Sequence, residues 1–352
     1  MSFKQLLNFS WLASWKWAQQ RGLTASAASV RINQPIMSAE DVLALGTELE
    51  GLAAIYPINP KQSEALRQGE QSSRFMGSGM EYEESRPYEE GDEIRRINWK
   101  LMAKTGNAYT KLYQEERQES WFILLDHRQS MRFGTRERLK ATQASRIAGY
   151  YAWMAQQAGI PISIGRLTGI FEQSPIFEGR SSFSQIMQVA SQACIPGEQG
   201  QASNSGETRL NDVLFKVSHQ LPSGSRLILL SDFHDVDAET QEILTALQTS
   251  LLVKAVLVYD KSEEQLPNVA GMQLQSTLNN KLYQLNREQQ LYFAASATEY
   301  FTNLANYFQA SNAQFYKVRT DNDLMNINLT LQTPVLSKNR EANSVARIVK
   351  PA

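Results

Sequence analysis

Carboxylates and hydroxyls stand at the ends of apolar runs in this sequence, and their types are those of a cation site. The run WFILLD, residues 121–126, passes into Asp126-His127-Arg128-Gln129-Ser130-Met131. Gly206-Glu207-Thr208 precedes a helical segment, and RLILLSD, residues 226–232, ends in Ser231-Asp232. Oxygen donors gathered from three loops suit a hard cation such as Mg²⁺, which takes oxygen ligands and keeps part of its water shell. Two carboxylates and two hydroxyls converging at these strand ends are therefore the candidate metal ligands. Arg128 stands among them with no lone pair to give and a permanent positive charge. At about 4 Å from a cation, with an effective dielectric near 20, each pair of unit charges repels by roughly 4 kcal/mol. The expectation is a degenerate site. Either Arg128 pairs with Asp126 or Asp232 in the ion's place and no cofactor is held, or it turns to solvent and Mg²⁺ binds weakly.

The same residues offer one rival chemistry. His127 and His234, with Asp126, Asp232, Asp235 and Asp237, could supply the mixed ligands of a metal-dependent hydrolase. Histidines at strand ends are more often ordinary polar loop residues, so no catalytic residue is assigned and the reading stays an alternative. Ser78 in Met-Gly-Ser-Gly-Met lacks the nucleophile-elbow spacing, and the glycines match neither the dinucleotide fingerprint nor the phosphate loop. Thirty-five basic against thirty-six acidic residues leave a net charge of -1, which supplies no field for nucleic acid. The basic clusters Arg132 to Lys140 and Lys338 to Lys350 are short and read as solvated surface.

A single cysteine, Cys194, allows no internal disulfide, and a reducing cytoplasm is the expected compartment. No apolar run reaches the roughly 20 residues that span a bilayer. Residues 3–19 carry Phe3, Leu6, Leu7, Trp11, Leu12, Trp15 and Trp17 with only Lys4 and Lys16. Such a segment can lie on lipid, but two lysines give little attraction to an anionic surface. Docking on the protein itself is the preferred reading over a peripheral membrane contact.

The elements that must position the candidate ligands follow from periodicity. Ser38 and Asp41 resemble a capping box before Val42, Leu45, Leu49, Leu52 and Tyr56, which predicts a helix over 38–56. From Trp121 onward, short apolar runs alternate with amphipathic segments, the pattern of a parallel sheet with helical crossovers. Strands are expected at 121–126, 161–167, 226–232, 251–260 and 313–318, and a hairpin at 271–286. Helices are expected over about 138–158, 183–193, 210–219 and 287–310. In open sheets of this kind ligands gather beyond the carboxyl ends of the strands.

The residues from Arg74, Gly77 and Gly79 through Glu81-Tyr82-Glu83-Glu84-Ser85-Arg86-Pro87-Tyr88-Glu89-Glu90-Gly91-Asp92-Glu93-Ile94-Arg95-Arg96-Ile97-Asn98-Trp99 resemble the signature of the domain-of-unknown-function 58 family. In that family a von Willebrand A-like strand ending in D-x-S-x-S-M follows, and the resemblance covers about residues 40–260. Tyr82, Glu93 and Asn98 are modest departures, and Arg128 replaces the middle serine. The resemblance implies a von Willebrand A-like, Rossmann-like α/β fold: a mostly parallel sheet flanked by helices, with an N-terminal helical and irregular extension. It also implies a metal-ion-dependent adhesion site at Asp126, Ser130, Thr208 and Asp232, and a link to MoxR-type AAA+ ATPases in chaperone-like assembly. The function expected is that of a non-enzymatic adaptor for a client protein.

In the signature, acids between Glu81 and Glu93 lie beside Arg74, Arg86, Arg95 and Arg96, so an ion-pair network holding an irregular turn is expected, with Trp99 anchoring the turn on the α/β core. Candidate partner-binding residues are Arg128, through a partner carboxylate, and Arg86, Tyr88, Gly91, Asp92, Arg96 and Trp99. The chain is divided as an aromatic N-terminal segment (1–37), the signature region (38–117), the α/β domain (118–320) and a C-terminal tail (321–352).

Overall fold

The computed structural model describes residues 34–56, 80–89, 94–115, 119–135, 137–193, 208–266, 273–275, 282–284 and 287–335. The aromatic segment 3–19, the polar connection 57–73, Ser78, Cys194, the basic stretch 338–350, Gly91 and Asp92 lie outside them. In chain order the elements are α1 (Ala39–Ile55), β1 (Met80–Pro87), α2 (Trp99–Thr105), β2 (Tyr109–Glu115), β3 (Trp121–Asp126), α3 (Lys140–Ala158), β4 (Ile162–Leu167) and β5 (Phe171–Gln173). They continue with α4 (Ser182–Ala190), α5 (Leu210–Ser218), β6 (Arg226–Ser231), α6 (Ala238–Leu247), β7 (Leu252–Tyr259) and α7 (Lys261–Glu264). The last are β8 (Gln273–Gln275), β9 (Leu282–Gln284), α8 (Arg287–Ala310), β10 (Gln314–Arg319) and α9 (Leu324–Gln332).

The chain forms two compact units, one running Glu64–Glu119 and the other holding the remainder. The larger is built on a six-stranded sheet in the order β10-β7-β6-β3-β4-β5. All its neighbours are parallel except the short edge strand β5. Every residue of β3, β4 and β6 is buried, as befits strands covered by helices on both faces. The period of two divides each strand between two cores. Trp121, Ile123 and Leu125 join Ile228 and Leu230 in one core with α1, α3, α4 and α9. Phe122 and Leu124 join Leu227 and Leu229 in the other with α5, α6 and α8. The fold class is the one expected.

Reading β5 first, the sheet order is 3-2-1-4-5-6 by order of appearance, a doubly wound arrangement whose direction reverses between β3 and β6. Register sets Leu125 opposite Leu230, so Asp126 and Ser231 end neighbouring strands at that switch point. Helix α3 runs beneath it and is buried along most of its length. Gly149 makes that burial possible, because a Cβ there would stand 2.8 Å from Leu45 Cδ2 and from Met187 Sδ.

The boundaries drawn from sequence need two corrections. Helix α1, assigned to the signature region 38–117, belongs to the α/β unit. Leu45, Leu49 and Leu52 are buried against α3 and α9, each contributing about 1.5–3 kcal/mol by burial, and Arg146 binds Glu48 at 2.9 Å. The start of the expected tail, 321–352, is helix α9, capped by Asp323. Its Leu324, Ile327 and Leu331, on one helical face, pack into the same core.

In the Glu64–Glu119 unit, β1 and β2 pair as an antiparallel hairpin with an irregularity between Tyr82 and Glu84. Met80–Pro87 of the signature is thus strand, and residues 90–93 of the turn expected after it lie outside the described residues. Asn98 caps α2 and its amide donates to Ser85 Oγ at 3.0 Å. Trp99, the first residue of α2, leaves 59 % of its surface exposed.

Candidate functional site

At the switch point Asp126 is buried and accepts at both carboxylate oxygens. Arg128 donates to it from its backbone N at 3.0 Å and from Nη2 at 2.8 Å, and Ser231 Oγ donates at 2.6 Å. The Arg128 guanidinium reaches on to Asp235, with Nη2 2.9 Å from Oδ1 and Nη1 on Oδ2. Only 2 % of the Arg128 side chain is exposed. Burial by itself would lower its pKa, but the Asp126 and Asp235 carboxylates outweigh it and hold the guanidinium above its ordinary value.

A second buried cation stands beside the first. Lys140, the opening residue of α3, places Nζ 2.8 Å from Asp232 Oδ2 and 2.8 Å from Glu263 Oε1. Burial opposes its charge, yet Asp232 and Glu263 raise its pKa. Burial would raise Asp232, but Lys140 and His234 hold it well below the usual carboxylate range. For Glu263 burial prevails and its pKa lies above the ordinary value. Sequence reasoning put Lys140 in a solvated basic cluster; at 2 % exposure it is instead part of the core of the site. Next to it Asp260, at the end of β7, accepts from Thr135 N at 3.0 Å, Ser262 N at 2.9 Å and Thr320 Oγ1 at 3.0 Å. That bundle of bonds ties the loop after Arg132 to the ends of β7 and β10.

Backbone conformation aims the last strand end. Phe233 has φ of 51°, a left-handed value uncommon for a bulky residue. Its N–H donates to Ser231 Oγ at 3.0 Å, and its ring packs against Phe308 at 4.6 Å between centroids. The tight turn lets consecutive residues serve different purposes: Ser231 bonds Asp126, Asp232 bonds Lys140, Phe233 enters the core and Asp235 meets Arg128.

The expected ligands therefore have other partners. Asp126 pairs with Arg128, as one of the two expected pairings had it. Arg128 takes Asp235 and not Asp232 as its second partner. Ser130 Oγ lies 3.3 Å from His234 Nδ1, and Thr208 Oγ1 donates to the Gly169 carbonyl at 3.2 Å. Arg128 is withheld from any partner carboxylate, because Nε, Nη1 and Nη2 are bonded inside the protein, which corrects the expectation that it meets one. Among the signature residues, Arg86 forms an ion pair with Glu89 at 3.4 Å. Tyr88 N–H donates to Ala108 O at 3.0 Å. Nothing is described of the Arg96 side chain.

Among the described residues, the histidines of the hydrolase alternative have other partners. His127 is fully buried, with Nε2 3.1 Å from Ser145 Oγ. Ser145 gives its own proton to the Ala190 carbonyl at 2.7 Å, so His127 is the donor in that bond. Burial, assisted by Arg166, pushes its pKa down to about 3. His234 holds Asp232 at 2.8 Å and Ser130 at 3.3 Å on the same nitrogen, Nδ1. A serine–histidine–carboxylate relay needs them on opposite nitrogens. Among the described residues no group of three or more His, Cys, Asp and Glu side chains is arranged to hold a metal ion. No described helix is long and apolar enough to cross a membrane.

Comparison with known proteins agrees with the signature. Two mycobacterial relatives, the uncharacterized proteins Rv1480 of Mycobacterium tuberculosis and Mb1516 of Mycobacterium bovis, are each 23% identical over 309 residues, 86% of this chain and 93% of theirs. Similar solved structures include the conserved hypothetical protein BatB from Bacteroides thetaiotaomicron, with a TM-score of 0.38 at 14% identity over 61% of this chain and 96% of that one. A von Willebrand factor type A protein from Catenulispora acidiphila has a TM-score of 0.32 at 10% identity, over 60% and 41%. The profile of the family described as "Protein of unknown function DUF58" matches residues 84–301, more than half of the sequence, and this chain belongs to that family.

Proposed function

We propose that this protein is a non-enzymatic interaction protein of the cytoplasm, an adaptor that works with a MoxR-type AAA+ ATPase on a client through the strand-end face around Asp126 and Asp232. One observation carries the reading. The polar side chains at the switch point are locked in reciprocal ion pairs, and the residues that could do acid–base work share a single nitrogen instead of forming a relay. Such a face is preorganised for recognition, with His234 44% exposed at its rim. The MoxR link rests on family membership.

The test is a binding titration of the full chain against a MoxR-type ATPase from the same organism. Introducing bulk and charge at the rim, by His234→Glu or Ser130→Arg, is expected to weaken binding by about tenfold or more, or about 1.4 kcal/mol. Trp99→Ala in the signature serves as the comparison. Failure of the native pair to bind refutes the partnership, and loss confined to Trp99→Ala moves the contact to the signature unit.

A further inference from the structure

A divalent ion would need Asp126, Asp232, Ser130, Thr208 and an oxygen at position 128, and the side chains do not fit one. Arg128 has no lone pair and its guanidinium lies between Asp126 and Asp235. Asp126 is saturated by Arg128 and Ser231. Asp232 is held by Lys140 on one oxygen and by His234 on the other. Thr208 gives its proton to Gly169, away from any carboxylate. Each retained ligand position thus has a polar neighbour of the protein's own.

We propose that Arg128 and Lys140 together are a built-in replacement for the divalent ion, so that the strand-end face of this protein is formed and held without metal. The charge count supports it: two buried unit charges equal the charge of one divalent ion. They bind where such an ion would draw loops together. Arg128 joins the β3 loop to the β6 loop through Asp126 and Asp235. Lys140 joins the start of α3 to the β6 and β7 loops through Asp232 and Glu263. Neither cation is exposed enough to exchange with solvent ions, at 2–3% of its side chain. Unlike a bound ion, both are covalently part of the chain, so the face does not respond to metal supply. The inference rests on the strand-end face being the working surface, but its test requires no partner.

Electron paramagnetic resonance of free Mn²⁺ measures binding directly on the full chain. The native protein is expected to leave the Mn²⁺ signal unchanged, with a melting temperature indifferent to Mg²⁺, Mn²⁺ or a chelator. Arg128→Ser restores a hydroxyl at the missing position and frees Asp126 and Asp235. It is expected to bind Mn²⁺ at least about tenfold more tightly than the native chain and to lose that binding on further Asp126→Asn substitution. Mn²⁺ bound by the native protein and released by Asp126→Asn overturns the proposal, and this arm stands whether or not Arg128→Ser folds. A folded Arg128→Ser that binds no Mn²⁺ also overturns it. Binding by the native chain would leave the adaptor reading intact, whereas loss of partner binding leaves the metal result untouched.

Discussion

Replacing Lys140 by methionine keeps most of the side-chain volume and removes the charge that Asp232 and Glu263 share. Two charge-assisted hydrogen bonds of 2.8 Å are lost, each contributing about 1.5–3 kcal/mol. Removing one partner of a buried ion pair strands the other, at a cost of about 3–5 kcal/mol. The expected destabilisation near neutral pH is therefore about 3–5 kcal/mol, a large part of the 5–15 kcal/mol typical of a folded domain.

The pH dependence carries a definite sign. In the native protein Asp232 is depressed, so its contribution is present above about pH 4 and is lost as pH falls through its folded value. Lys140 is raised, so its contribution is complete below its unfolded pKa and fades only as pH rises through the folded value, in strong alkali. Without Lys140 the depression of Asp232 is relieved, and Glu263, already raised by burial, moves further up. Protonation of these carboxylates then removes the stranded charge. The penalty should shrink by about 1 kcal/mol or more between pH 7 and pH 5, since one pKa unit corresponds to about 1.4 kcal/mol. Urea unfolding followed by the fluorescence of Trp121 and Trp153, which are buried in the α/β unit, supplies the measurement. A penalty below about 1 kcal/mol at neutral pH, or one that does not shrink in acid, refutes the assignment of Lys140 as a buried counter-ion.

Three further outcomes are expected. Gly149→Val sets branched carbon where a Cβ alone meets Leu45 and Met187 at 2.8 Å; overpacking of this kind costs about 1–3 kcal/mol, read as an earlier urea midpoint with faster hydrogen exchange in α1 and α3. His127, depressed to about 3, should show no imidazole titration by NMR between pH 5 and 8, whereas His234, raised by Asp232 against the opposing effect of burial, should titrate with a midpoint above about 6.5. By linkage His127 lowers stability as pH falls from about 6.5 towards 3, and His127→Leu should flatten that slope.

The sheet could be read in the sequence because β3, β4, β6 and β7 are apolar runs bounded by turn residues, and burial on both faces demands that composition. Where the sequence was opaque, the elements were short or charged. Three residues of β5 cannot display a period. Met80–Pro87 carries three glutamates, which disguise a strand in a two-stranded hairpin. Helix α9 opens four residues past the nominal end of the domain, and its Leu324, Ile327 and Leu331 are legible as a stripe only once Asp323 is recognised as their cap.

The site was legible in its anions and not in its cations. Asp126, Ser231 and Asp232 follow from strand ends, and Arg128 stands out only through the resemblance to the family pattern, where a serine is expected in its place. Lys140 looked like surface because its neighbours Arg132 and Arg138 are basic. A local signal did exist: Lys140 is the first residue of a helix with no acid in its first turn, where the macrodipole favours negative charge. A cation in that position is held by something outside the helix. Its holders are Asp232, 92 residues away, and Glu263, 123 residues away, and no periodicity connects them. Glu263 had its own signal, since Asp260 and Glu263 form a capping box, yet that pattern marks a helix start and says nothing of a lysine. Sequence thus exposes where a fold collects negative charge, while the long, flexible side chains that neutralise it are assigned only by the geometry that lets one nitrogen reach two strand ends.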